Sequence, residues 1–103
     1  MRTKWTDHAK EQRRQIVAYI RKGFGVKHAQ KFMQEVDDIV NLLMHSPNIG
    51  QIDTLFADRP KTYRSVIING LTKMVYHIDD DIIYIVSLWD TRREPMNQAA
   101  KTE

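Results

Sequence analysis

Apolar positions follow two different rhythms along this chain. In the first half they recur three and four residues apart: Ala9, Ile16, Val17, Ile20 and Phe24, then Ala29, Phe32, Met33, Val36, Ile39, Val40 and Leu43. That spacing gathers them on one side of a helix of about 3.6 residues per turn. Thr6 or Asp7 suits the N-cap of the first helix, because its side-chain oxygen can accept a free amide proton of the first turn. The first helix is expected to reach about Lys22, where Gly23-Phe24-Gly25 ends it. A second helix is expected from Val26 to His45, stopped by Ser46-Pro47-Asn48-Ile49-Gly50. So short a connection makes the pair an antiparallel hairpin.

From Tyr63 onward the rhythm changes to alternation. Three runs rich in Val, Ile and Tyr are separated by Asn69-Gly70 and by Asp79-Asp80-Asp81. This is the pattern of three consecutive antiparallel strands. Shorter strands are expected within residues 1–5, anchored by Trp5, and around Ile52–Phe56. The predicted fold class is α+β, an N-terminal helical hairpin packed on one face of a twisted antiparallel sheet. Residues 1–95 are read as a single domain and residues 96–103 as a polar C-terminal tail.

Pairing decides which side chains meet. A turn that places Asn69 beside Thr72 sets Arg64 opposite His77, Val66 opposite Val75 and Ile68 opposite Lys73. A second turn through the aspartates pairs Ile78 with Ile83 and brings Tyr84 to His77. The uncharged set, with Ile67, Met74, Tyr76, Ile83 and Ile85, is then expected to face the helices. The other face would mix Arg64, Lys73, His77 and Tyr84 with Val66, Ile68, Val75, Val86 and Leu88. Exposed aliphatic groups of this kind mark a partner surface. A slip of one residue in either turn would exchange the faces.

Composition narrows the classes. A chain of 103 residues without cysteine has no disulfide framework and no thiolate chemistry. Its longest apolar runs, such as Ile82–Val86, are far shorter than a membrane span, and the charged N-terminus lacks a signal-peptide core. A cytoplasmic location is expected. The net charge of +3 is unevenly spread, with nine basic and two acidic residues before position 35. Residues 35–58 hold five acids and no Lys or Arg, and residues 59–78 are basic again. A basic excess confined to certain surfaces suits an anionic partner or a solvated helix face. His8, His28, His45 and His77 have no zinc-ligand spacing, and the triple Asp reads as a solvated turn. No metal or cofactor is expected. His77 and Tyr84 read as a cross-strand structural pair.

Several stretches then suggest a family. They are Trp5-Thr6-Asp7-His8-Ala9, Tyr19-Ile20, Phe24-Gly25, Pro47-Asn48-Ile49-Gly50, Tyr63-Arg64-Ser65, Thr72-Lys73-Met74-Val75-Tyr76 and Leu88-Trp89-Asp90-Thr91-Arg92-Arg93-Glu94-Pro95. In this order, over residues 2–95, the chain resembles the RelE/ParE superfamily, toxins of bacterial type II toxin–antitoxin pairs. The resemblance implies growth arrest until a cognate antitoxin neutralises the toxin, and it implies two alternative targets. ParE-like members inhibit DNA gyrase, and RelE-like members cleave mRNA on the ribosome. In the nuclease case Arg64, Lys73, His77, Arg92 and Arg93 would be the catalytic set: metal-free cleavage needs a base, a charge stabiliser and an acid, with His77 or Tyr84 as base, Arg64 and Lys73 as stabilisers and Arg92 or Arg93 as a mobile clamp. An antitoxin segment would cover Val66, Ile68, Val75, Tyr84, Val86 and Leu88. Val66 stands where RelE has a second Lys, and no Tyr or His follows Arg93. Both departures favour the gyrase alternative.

Overall fold

Thr6 caps the first helix as its side chain predicts, accepting a hydrogen bond of 3.1 Å from the Ala9 amide. The computed structural model describes residues 1–91. Its elements run β1 (Arg2–Trp5), α1 (Asp7–Phe24), α2 (Val26–His45), β2 (Gln51–Ile52), a 3₁₀ turn (Thr54–Phe56), β3 (Arg64–Ile68), β4 (Thr72–Asp79) and β5 (Ile82–Asp90). Gly25 alone joins the helices, at φ +95°, a backbone that side chains with a Cβ rarely adopt. None of the described helices is long and apolar enough to cross a membrane.

The two helices pack on a five-stranded sheet of order β1-β5-β4-β3-β2. The sheet is mixed and mostly antiparallel, because β1 runs parallel to β5, with Trp5 beside Ile85. Strand β1 forms as expected, whereas residues 54–56 make a 3₁₀ turn in place of a strand. Asp53 starts that turn, its Oδ1 accepting from the Leu55 amide at 3.0 Å. Asp competes in this way with extended pairing.

The first hairpin departs from the expected register. Three residues, Asn69, Gly70 and Leu71, form the loop, so Ile68 pairs with Thr72 and Arg64 with Tyr76. Asn69 (φ 51°) and Gly70 (φ 75°) both take left-handed backbone, and Asn69 Oδ1 accepts from the Leu71 amide. Such a three-residue loop is open to a chain that can place consecutive residues at positive φ. The shift of one residue exchanges the faces of β3. Val66 and Ile68 turn toward the helices, and Ile67 is left 58% exposed. Met74, Tyr76, Ile83 and Ile85 face the helices as expected, each completely buried.

The second hairpin is as expected through its turn, pairing Ile78 with Ile83 and His77 with Tyr84. Farther along, a bulge separates Tyr76–Ile85 from Val75–Ser87 and inserts Val86. Leu88 is thereby turned into the helix core beside Met74, and Trp89 is paired with Lys73. Gln12 on α1 accepts the Leu88 amide at 2.9 Å just beyond the bulge. Val17, Ile39 and Val40 of the expected stripes are partly buried, and two residues are exposed: Phe24 at the helix end and Met33 on the outer surface of the hairpin.

The face away from the helices has its own small core. Val75 and Val86 are buried there with Phe56 and Tyr63, which belong to the segment 53–63 laid across the sheet as a strap. The strip expected to be exposed is therefore largely interior. Ile68 and Leu88 belong to the helix core, while Val75 and Val86 lie under the strap. Val66 and Tyr84 are partly covered.

Candidate functional site

Strand alternation puts the candidate residues on two sides of the sheet. Arg64 shares the helix side with Tyr76, its direct cross-strand partner. There both are committed to the loop after α2. The Tyr76 hydroxyl donates to Pro47 O at 2.7 Å and accepts from the Gly50 amide at 3.0 Å. Arg64 Nη1 donates to Gly50 O at 2.9 Å. Gly50 fits because a Cβ would sit 2.6 Å from the Tyr76 oxygen and 2.9 Å from Ser65 O. The Pro47-Asn48-Ile49-Gly50 stretch is thus a docking turn, pinned by a phenol and a guanidinium. Burial raises the Tyr76 hydroxyl pKa above its ordinary value, opposed by its hydrogen bond with Gly50 and by the Arg64 charge.

On the strap side, Lys73 Nζ lies 2.6 Å from Asp53 Oδ2, with side chains 19% and 5% exposed. The ammonium is held by the residue that starts the 3₁₀ turn and so fastens the strap to β4. Next to it runs a series of rings. Arg59 sits 5.6 Å over Phe56, Phe56 stacks on Tyr63 at 5.1 Å, Tyr63 meets His77 edge-on at 5.2 Å, and His77 stacks on Tyr84 at 5.1 Å. Lys61 bridges from the strap to Asp79 at 3.0 Å. Burial lowers the His77 pKa below its ordinary value, Lys61 lowers it further and Asp79 opposes the shift. His77 Nδ1 is buried without a hydrogen-bond partner among the described residues.

Among the described residues the expected catalytic groups therefore do not converge. The structure brings His77 and Tyr84 together, but Arg64 stands on the opposite face and Lys73 is neutralised by Asp53. Arg92 and Arg93 lie outside the described residues. Stabilising a phosphorane requires cations aimed at one point, and Arg64 and Lys73 aim at carbonyl and carboxylate groups on opposite faces. Among the described residues no group of three His, Asp or Glu side chains is placed to hold a metal ion. Asp53, Gly50, Phe56 and Tyr63 escaped the sequence reading as parts of this machinery. A lone Asp ahead of Thr-Leu-Phe was the available sign of a cap; the ring series had none, since it depends on register.

One sheet edge is open. Strand β2 covers β3 at Ser65 and Arg64 alone, so the outer side of Val66–Ile68 has no strand partner among the described residues. Beside it lies a groove of about 390 Å³ lined by Ile39, Leu42, Ile49, Val66 and Ile67 among others. Ile49, Ile52, Ile67 and Leu42 are each more than 40% exposed there. The opposite edge, β1, carries Arg2 and Lys4, which discourage edge pairing.

A two-helix layer on a mixed, mostly antiparallel sheet with an apolar open edge defines a small domain of α+β class. The family model for the ParE toxin of type II toxin–antitoxin systems, parDE, matches residues 3–95. The chain belongs to that ParE toxin family. A search of curated protein sequences finds no match. Among solved structures, the fold is similar to a chain of the chromosomal ParDE toxin–antitoxin system from P. aeruginosa. The TM-score is 0.70 at 20% identity, covering 87% of this chain and 95% of that one.

Proposed function

We propose that this ParE-family toxin arrests growth by binding and inhibiting DNA gyrase, and that an antitoxin segment neutralises it. One observation carries the reading. Among the described residues, the groups a metal-free nuclease would need are split between two faces, and Arg64 and Lys73 are both locked into structural bonds. A protein that inhibits by binding needs no such convergence.

The antitoxin is assigned to the open edge of β3. An extended segment can add to Val66–Ile68 through main-chain hydrogen bonds, with apolar side chains entering the groove at Ile39, Leu42 and Ile49. Of the six residues expected from sequence to bind antitoxin, Val66 lines this groove. The test uses antitoxin-free protein in two reactions, gyrase supercoiling and cleavage of a defined mRNA on purified ribosomes. Inhibited supercoiling with intact mRNA is expected. Cleavage that His77→Gln abolishes would replace this reading with an enzymatic one.

A further inference from the structure

The positive charge of the helical hairpin is unused by either reading, and it gathers where the two helices join. Between Glu11 and Glu35 the sequence holds six Lys and Arg and no acid. Arg21 and Lys22 lie in the last turn of α1, and Lys27 and Lys31 follow in the first two turns of α2. Among the described residues none of these four side chains enters an ion pair. Like charges crowded at one end of a small protein repel one another and attract an anion. Two apolar side chains stand in water at the same end, Phe24 at 52% exposure and Val26 at 51%. The Phe24 ring lies 6.1 Å from the His28 ring, tilted 44° to it. Both rings border a hollow of about 300 Å³ that reaches in to Ile20 and Phe32. Asn69 and Leu71, from the loop between β3 and β4, form its other wall, and Lys31 stands on its rim. The acid lining it is Glu35, whose Oε1 accepts from Asn69 Nδ2 at 3.3 Å.

We propose that this end of the hairpin binds single-stranded nucleic acid. One base enters the hollow against Phe24 and His28, and neighbouring phosphates rest on Arg21, Lys22, Lys27 and Lys31. The spread of the cations selects a polyanion over a lone anion. Lys27 and Lys31 are about 6 Å apart along the axis of α2, and the pair on α1 belongs to a helix packed roughly 8–10 Å away. Exposed rings beside a cationic track select nucleic acid over an acidic peptide. A base offers a π-face to the rings and a polar edge to the Asn69 amide and the Glu35 carboxylate, whereas carboxylates alone would leave the rings uncovered. A single strand follows because the bases of a duplex are already stacked on one another and cannot enter the hollow. A lone Phe and a lone Val are too little apolar surface to hold a lipid bilayer. The hollow shares no residue with the groove beside β3. Purified chain alone therefore tests it, whatever the fate of the gyrase and antitoxin readings.

The probe is a fluorescein-labelled oligothymidylate of about 12 nucleotides, within the length one small site covers. Anisotropy should report binding to wild type that the unlabelled strand competes away and that weakens as salt is raised. Lys27→Glu with Lys31→Glu should weaken it about tenfold or more and flatten the salt dependence, because phosphate contacts are lost. Phe24→Ala should weaken it about fivefold or more with the salt dependence unchanged, because a stacking contact is lost and no charge is. All three positions are exposed, and far-UV circular dichroism identical to wild type establishes that both variants are folded. No anisotropy change at low salt would overturn the proposal, as would unchanged affinity in Phe24→Ala. A duplex of the same length that binds as tightly as the single strand would overturn it in favour of plain charge attraction. An oligoglutamate that displaces the strand at equal concentration would overturn it in favour of an acidic protein. Sedimentation with phosphatidylserine vesicles that Phe24→Ala abolishes, in a protein that leaves the oligonucleotide free, would overturn it in favour of a lipid surface.

Discussion

On one side of the sheet Met74, Tyr76, Ile83 and Ile85 are sealed by two helices of eighteen and twenty residues. On the other side Val75 and Val86 are sealed by a short strap bearing Phe56 and Tyr63. The helix side is held by a continuous apolar layer with much redundancy, so its stability is a sum over many small contacts. The strap side has few apolar contacts and depends on specific polar fastenings, Lys73 to Asp53 and Lys61 to Asp79. Small cores of this kind open locally at lower cost than the whole molecule. The lesson concerns candidate catalytic residues. Lys73 and His77 belong to the strap side, where a cation and an imidazole serve as fasteners.

The strongest way to break the contrast is Lys73→Met. It leaves the nearly buried Asp53 carboxylate without its partner, and breaking such a pair costs about 3–5 kcal/mol. The loss should appear first as faster hydrogen exchange in residues 54–63, with the helix amides still protected. Simultaneous loss of protection in α1 and α2 would mean the two sides are one cooperative unit. Next in size is Ile85→Ala, expected to cost about 2–4 kcal/mol in denaturant unfolding because the completely buried side chain leaves a cavity. Its neighbour Val86→Ala, under the strap, should cost about 1–2 kcal/mol, two carbons less buried surface. Equal losses would erase the distinction. Gly50→Ala should cost about 1–3 kcal/mol, since the new methyl overlaps the Tyr76 hydroxyl and Ser65 O and must push the docking turn away.

The smallest effect is a pH dependence. The folded state holds the His77 pKa below its ordinary 6.5, so the unfolded chain binds the proton more readily. Stability contributed by neutral His77 is then fully present above pH 6.5. It declines as pH falls through that value and levels off below the folded pKa. Wild type should therefore lose more stability than His77→Gln between pH 8 and pH 5. A greater loss in the variant would reverse the sign and discredit the partly buried, neutral imidazole.

Helix positions and element order were legible because they depend on local signals that repeat: the stripe from Ala29 to Leu43, the Thr6 cap, the Asn69-Gly70 and triple-Asp turns. Ile78–Ile83 and His77–Tyr84 were legible because the second turn allows little freedom. The first hairpin was not. Asn69-Gly70 is compatible with loops of two or three residues, and the choice between them reverses every side chain of β3. The bulge at Val86 has no sequence sign of its own, yet it moves Leu88 and Trp89 across the sheet. Fold class survives such slips, whereas a proposed constellation such as Arg64 with His77 does not.

The parallel pairing of β1 with β5 also bears on when this protein can act. Arg2 lies beside Ile82 and Trp5 beside Ile85, in the first and the last strands of the sheet in chain order. Contacts between such distant parts form late, since the whole intervening loop must close before they contribute. During synthesis the helical hairpin can assemble early, but the sheet beneath it waits for β5 to emerge. The sheet is therefore incomplete until β5 is made, and the surfaces that depend on it come into being together.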